Sequence, residues 1–164
     1  MKFHQEVTVK AKDLMIPLSE CAQVAEDRSL QEAMIMLSAF RQRYSRSDYS
    51  PRFVLVRDDR YRIVGVLRHL EILRGLGKTT APGPPSLPKM IAAAPRVAAR
   101  DAMTLYSEAE RIQADAPIEE AIARMLQGAF RHMLVVEAGT TIGILRLSEI
   151  FARVRKELGH AGRD

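Results

Sequence analysis

The apolar positions of the chain fall into short runs separated by polar stretches, and the runs alternate between two periods. Leu30, Ala33, Met34, Leu37 and Phe40 recur at helical spacing, as do Ile118, Ala121, Ile122, Met125 and Leu126, so each set predicts a helix burying one stripe. Ser29-Leu30-Gln31-Glu32 marks the start of the first helix with capping-box spacing, and Pro117 stands where the first turn of the second tolerates it. After each helix come two short strand patterns: Arg52 to Arg57 then Arg62 to Arg68, and His132 to Val136 then Thr141 to Arg146. Their connections, Arg57-Asp58-Asp59-Arg60 and Glu137-Ala138-Gly139-Thr140, carry the Asp or Gly that tight reversals use. A strand at Gln23 to Ala25 precedes the first helix. Closing helices near Leu70 to Leu76 and Ser148 to Leu158 are expected to stop before Gly77 and Gly159.

The two halves are copies of one another. Laying Asp13 on Asp101 also matches Met15 with Met103, Ser19-Glu20 with Ser107-Glu108, Asp27 with Asp115, and Glu32-Ala33 with Glu120-Ala121. After extra residues within Arg41 to Ser50 of the first copy, Leu55-Val56 falls on Leu134-Val135, Gly65 on Gly143, Leu67-Arg68 on Leu145-Arg146 and Glu71-Ile72 on Glu149-Ile150. A duplication of this length reads as two like structural units. Each is strand, helix, strand, strand, helix, an α/β (α+β) arrangement. The expected organisation is an N-terminal arm over 1–10, repeat one over 11–76, a linker over 77–98, repeat two over 99–159 and a tail over 160–164. The linker contains Thr79-Thr80-Ala81-Pro82-Gly83-Pro84-Pro85, which suits neither a helix nor a central strand, and Lys89 to Ala94 allows a helical turn.

Composition narrows the function classes. The chain has 164 residues, 47% of them hydrophobic, enough for a compact core. Its single cysteine, Cys21, makes no intrachain disulfide and is expected to be buried. Met1 to Glu6 lacks the apolar run of a signal peptide, and no stretch approaches the roughly 20 apolar residues of a membrane span. The expectation is a soluble, cytoplasmic protein. A net charge of +5 favours anionic partners without choosing among them. His4, His69, His132 and His160 show no ligand spacing with Cys21 or one another, so no metal is expected. No nucleophile–base pair and no glycine-rich phosphate loop is evident, and the expectation is a protein that is not an enzyme.

The segments Arg131-His132-Met133-Leu134-Val135-Val136-Glu137 and Ile142-Gly143-Ile144-Leu145 with its following helix, repeated in the first half and each copy preceded by a Met, resemble the cystathionine-β-synthase (CBS) domain. The resemblance covers roughly Val9 to Leu158. It implies two CBS repeats packed through their sheets into a pseudo-twofold Bateman module that commonly forms a homodimer. It also implies a regulatory or sensor role through an adenosyl ligand, AMP, ADP, ATP or S-adenosylmethionine, in clefts between the repeats, with no required cofactor and an enzyme or transporter as the regulated partner. By family position, Glu71 and Glu149 would hold ribose, Arg68, Arg146, Arg52, Arg131 and His132 would line the phosphate or cleft rim, and Phe53 and Met133 would flank adenine. Arg68 and Glu71 would then face Arg131, His132 and Met133, and Arg146 and Glu149 would face Arg52 and Phe53.

Both copies depart from the family pattern in the same way. A Thr or Ser usually stands where this chain has Arg68 and Arg146, and an Asp where it has Glu71 and Glu149. Glu still accepts charge-assisted hydrogen bonds from a ribose. Equally, a carboxylate in the first turn of a helix interacts favourably with the helix dipole and with the Arg three residues back. Two alternatives follow: a nucleotide-free interaction scaffold whose clefts are closed by Arg68 and Arg146, and an RNA- or DNA-binding protein using the Arg41 to Arg46 segment. The second is disfavoured, because the rest of the positive charge is scattered. Met34, Met36 and Met125 fit core filling.

Overall fold

The computed structural model describes residues 8–43 and 52–161. In chain order these form α1 (Ala11–Leu14), β1 (Ile16–Pro17), β2 (Gln23–Ala25), α2 (Leu30–Arg43), β3 (Phe53–Arg57), β4 (Ile63–Arg68), α3 (His69–Gly77), α4 (Leu87–Ala93), α5 (Ala99–Ala102), β5 (Thr104–Leu105), β6 (Arg111–Gln113), α6 (Ile118–Gly128), β7 (His132–Glu137), β8 (Thr140–Arg146) and α7 (Leu147–Ala161), with short 3-10 turns between some of them. The fold is mixed α/β, with two four-stranded sheets of order β2-β3-β4-β5 and β1-β8-β7-β6. No helix of the described residues is long and apolar enough to cross a membrane.

The sheets are built alike. β2 runs parallel to β3 and β6 parallel to β7, because a helix crossover separates each pair, while the tight hairpins make β3–β4 and β7–β8 antiparallel. The first hairpin turn is fastened by Asp58, whose carboxylate accepts the backbone N–H groups of Arg60 and Arg62 at 2.9 Å and Nε of Arg62 at 2.8 Å. Aspartate reads as a turn residue for this reason.

The fourth strand of each sheet is exchanged between the repeats. β1, at the start of the first repeat, pairs with β8 of the second (Ile16 opposite Ile144), and β5, at the start of the second, pairs with β4 of the first (Thr104 opposite Val66). The chain accordingly divides into one compact unit of residues 1–20 with 107–164 and another of 21–106. Two-residue strands carry no readable alternation, so neither appears in the hydrophobic pattern. The duplicated methionines and glycines acquire a physical reason here. A Cβ on Gly65 would lie 2.7 Å from Sδ of Met103 and 2.9 Å from the Thr104 carbonyl oxygen, and one on Gly143 would lie 2.7 Å from Sδ of Met15 and 2.5 Å from the Ile16 carbonyl oxygen. The exchanged strand and its Met lie directly over the glycine. Gly143→Ala is therefore expected to cost about 1–3 kcal/mol, since backbone must move, a loss that urea unfolding would read as a lower midpoint at unchanged slope.

Each unit has its own core. In the 21–106 unit, Leu30, Ala33 and Leu37 of α2 pack with Val24, Val54, Val56, Leu67, Ile72, Leu76 and Ala99. In the other, Ile118, Ala121 and Met125 of α6 pack with Ala11, Ile112, Met133, Val135, Leu145 and Ile150. The buried stripes are narrower than the periodicity predicts: Met34 and Leu126 are exposed, because a helix on one face of a sheet needs only a single apolar row. Ser29 Oγ accepts the Glu32 N–H at 3.1 Å as its spacing implies, while the Glu32 carboxylate lies 3.8 Å from Arg28. Cys21, the one cysteine of the sequence, is buried as expected.

Two helix ends differ from expectation. Gly77 closes α3 with ordinary right-handed geometry and leads into a 3-10 turn at Lys78–Thr80, and α7 continues through Gly159 to Ala161. Glycine ends a helix by adopting a left-handed conformation, and Gly77 does not adopt one. The expected linker is also partly structured: α4 forms, and Met90, Ala93, Ala94 and Val97 pack against the 21–106 core.

Candidate functional site

The matched Arg–Glu pairs stand where β4 turns into α3 and where β8 turns into α7. At the first elbow, Arg68 is the N-cap of α3 and Glu71 its third residue, one helical turn on, so the carboxylate folds back over the helix start. Oε2 of Glu71 accepts the Arg68 backbone N–H at 2.8 Å, and Nε of Arg68 donates at 2.9 and 3.2 Å to the two carboxylate oxygens. Nη2 of Arg68 pairs with Oε1, to which Thr104 Oγ1 on β5 also donates at 3.1 Å. Glu71 is only 4% exposed. Burial alone would raise its carboxyl, but the side-chain and backbone hydrogen bonds of Arg68 and its charge outweigh that and hold it at about 2, against an ordinary 4.5.

At the second elbow, Nε of Arg146 donates to the Glu149 oxygens at 3.1 and 2.9 Å and Nη2 to Oε1 at 2.5 Å, while Ser148 Oγ donates to Oε2 at 3.3 Å. Both side chains are largely enclosed, 13% exposed for Arg146 and 12% for Glu149. The position matching Thr104 is Ile16, buried and apolar, so no hydroxyl from the exchanged strand reaches this carboxylate. Sequence reasoning missed Thr104. Its bond to Glu71 depends on the β4–β5 pairing, which nothing local signals.

The remaining candidate residues are distributed as follows. Within each sheet the register sets Phe53 beside Arg68 and His132 beside Arg146. Phe53 is half-buried, His132 buried, and Arg52 and Arg131 exposed; the Arg131 carbonyl accepts the Leu147 N–H at 2.8 Å, fixing the start of α7. Met133 is fully buried in the core of its unit and offers no surface there. Of the Arg41 to Arg46 segment, Arg41 and Arg43 form the exposed end of α2 and the rest lies outside the described residues, as do most of the extra residues of the first copy. Among the described residues no group of three or more His, Cys, Asp or Glu could hold a metal ion.

A cavity of about 470 Å³ opens at the opposite end of the first sheet, lined by Glu26, Arg28, Arg57, Asp58, Tyr61 and Arg100 among others. Tyr61 sits at φ 60° with its ring 5.8 Å from the Arg57 guanidinium.

The family model for the CBS domain matches residues 99–156. That segment is a CBS domain. The fold of the whole chain is that of a CBS pair, a tandem or Bateman module. A CBS domain-containing protein of unknown function from Bacillus anthracis str. Ames Ancestor superposes with a TM-score of 0.69 at 18% identity, over 91% of this chain and 94% of that one. CBSX2, a CBS-pair protein of Arabidopsis thaliana, was solved in complex with AMP and matches at TM-score 0.65 and 22% identity, over 90% of this chain and 97% of that one. The cytosolic domain of the Mg2+ channel MgtE in complex with ATP matches at TM-score 0.60 and 22% identity, over 88% of this chain and 48% of that one. No curated protein matches by sequence. In this fold each elbow carboxylate holds a guanidinium of its own repeat.

Proposed function

We propose that this CBS pair is a regulatory module that senses an adenosyl ligand, AMP, ADP, ATP or S-adenosylmethionine, at its strand-to-helix elbows. The observation that carries the reading is the Arg–Glu elbow, built twice on a fold shared with proteins solved in complex with AMP and with ATP. Chemically the binding is an exchange. Ribose hydroxyls take over carboxylate oxygens, and the released guanidinium turns to the ligand's phosphate, a bidentate match that Arg makes better than Lys. Arg52 and Arg131 add positive charge at the strand starts, and half-buried Phe53 supplies an apolar flank. Buried His132 and Met133 contribute by positioning the β7 backbone. The ligand acts on a regulated enzyme or transporter, through a homodimer, only to the extent that it binds one arrangement of the module better than another. No catalytic step is part of this reading.

A second reading has an observation of its own. The Glu71 carboxylate is buried and bonded from several sides, which favours a nucleotide-free scaffold with its elbows closed. Thermal-shift measurements with AMP, ADP, ATP and S-adenosylmethionine separate the two. A sensor is stabilised by about 2.7 kcal/mol at a hundredfold excess of ligand over its Kd. A flat response to every ligand in the series leaves the scaffold.

A further inference from the structure

We infer that the two elbows are unequal: the Arg146–Glu149 elbow exchanges its guanidinium for an adenosyl ligand, and the Arg68–Glu71–Thr104 elbow is a fixed clasp that fastens β5 to its sheet. The inference rests on the nucleotide-sensing reading and assigns it to one site.

The difference lies in what holds each carboxylate. Among the described residues the donors to Glu149 are side-chain groups, from Arg146 and Ser148. Such donors are released by rotation about side-chain bonds, with the backbone left in place. Glu71 instead holds one donor that cannot turn away, the backbone N–H at the cap of α3, and beside it the hydroxyl of a β-branched Thr on a strand laddered to β4. A carboxylate offers about four acceptor sites, and the Arg68 N–H, Nε and Nη2 with Thr104 Oγ1 occupy them. Freeing Glu71 for a ribose would uncap α3 and leave the Thr104 hydroxyl without its partner, two costs that Glu149 does not incur.

The exchanged strands differ at this point. The same register position carries Thr104 on β5 and Ile16 on β1, so of the two exchanged strands β5 alone brings a hydroxyl to its elbow. The enclosed Arg146 guanidinium also presents a less screened charge to a phosphate than Arg68, whose side chain is 46% exposed.

Isothermal titration of the full chain with AMP tests this. One AMP per chain is expected, with Glu149→Gln weakening binding at least tenfold. Thr104→Val should leave the Kd within twofold while lowering Tm, which a role in ligand contact would not do. Two equivalent sites per chain, undiminished binding by Glu149→Gln, or a tenfold loss in Thr104→Val overturns the assignment and leaves nucleotide sensing standing. If AMP, ADP, ATP and S-adenosylmethionine all fail to bind the native chain, both fall together. Two equivalent sites in the native chain overturn the assignment whether or not Glu149→Gln folds.

Discussion

Residues 99–164, expressed without the rest of the chain, will show no cooperative unfolding transition, whereas residues 21–106 will show one. The first fragment contains the whole segment that matches the CBS family model, yet it lacks the lead-in that completes its sheet. Ala11 and Ile16 are buried in that unit, and Val9, Leu14 and Met15 pack against its core. Backbone bonds from Ala11 N to Ala116 O at 2.9 Å, from Lys12 N to Ala114 O at 3.0 Å and from Ile118 N to Val9 O at 2.9 Å go with them. Losing one fully buried large aliphatic costs about 1.5–3 kcal/mol, and domains have only about 5–15 kcal/mol in all. Removing Ile16 together with the partly buried Val9, Leu14 and Met15 and their backbone bonds takes most of that margin. The fragment also begins with α5 and β5, which belong to the other unit. Residues 21–106 hold an uninterrupted unit with all four of its strands. Circular dichroism through a urea titration distinguishes the fragments, and a cooperative transition in 99–164 would show that the exchanged strand is dispensable.

Replacing Glu71 by Ala should cost about 3–5 kcal/mol, the usual penalty for removing one partner of a buried ion pair, tempered by the half-exposed Arg68 side chain. The pH dependence identifies the cause. Glu71 is held near 2 in the folded chain against 4.5, so the unfolded chain binds its proton first as the solution is acidified. The stabilisation is complete above about pH 4.5 and is lost as pH falls through the folded value near 2. The native chain should therefore lose on the order of 2–3 kcal/mol over that window from this group, and Glu71→Gln should lose correspondingly less over the same interval. Parallel acid limbs for the native chain and Glu71→Gln would refute the assignment.

Much of the architecture was legible in the residues because the duplication supplies two readings of each element. β3, β4, β7 and β8 fall within a residue of the expected bounds, since hairpins with Asp or Gly turns signal themselves locally. The elbows were legible too: Arg and Glu three residues apart at a strand-to-helix junction meet as i, i+3 neighbours. What was not legible depends on pairing between distant segments. β1 and β5 are too short to show a period, and Thr104 joins the Glu71 network only because β5 lies against β4. Met34 and Leu126 share the helical periodicity of the core yet are exposed, because periodicity reports a face and not how wide a strip of it is covered.

The exchanged strands also impose a timetable on synthesis. As the chain leaves the ribosome, residues 21–106 are complete and able to close their sheet while the second repeat is still untranslated. β1 emerges before any of them, but its partner β8 is made only after that whole unit and most of the second repeat, so β1 waits for its partner while both are translated. The unit that depends on it is the one to which Glu149 belongs.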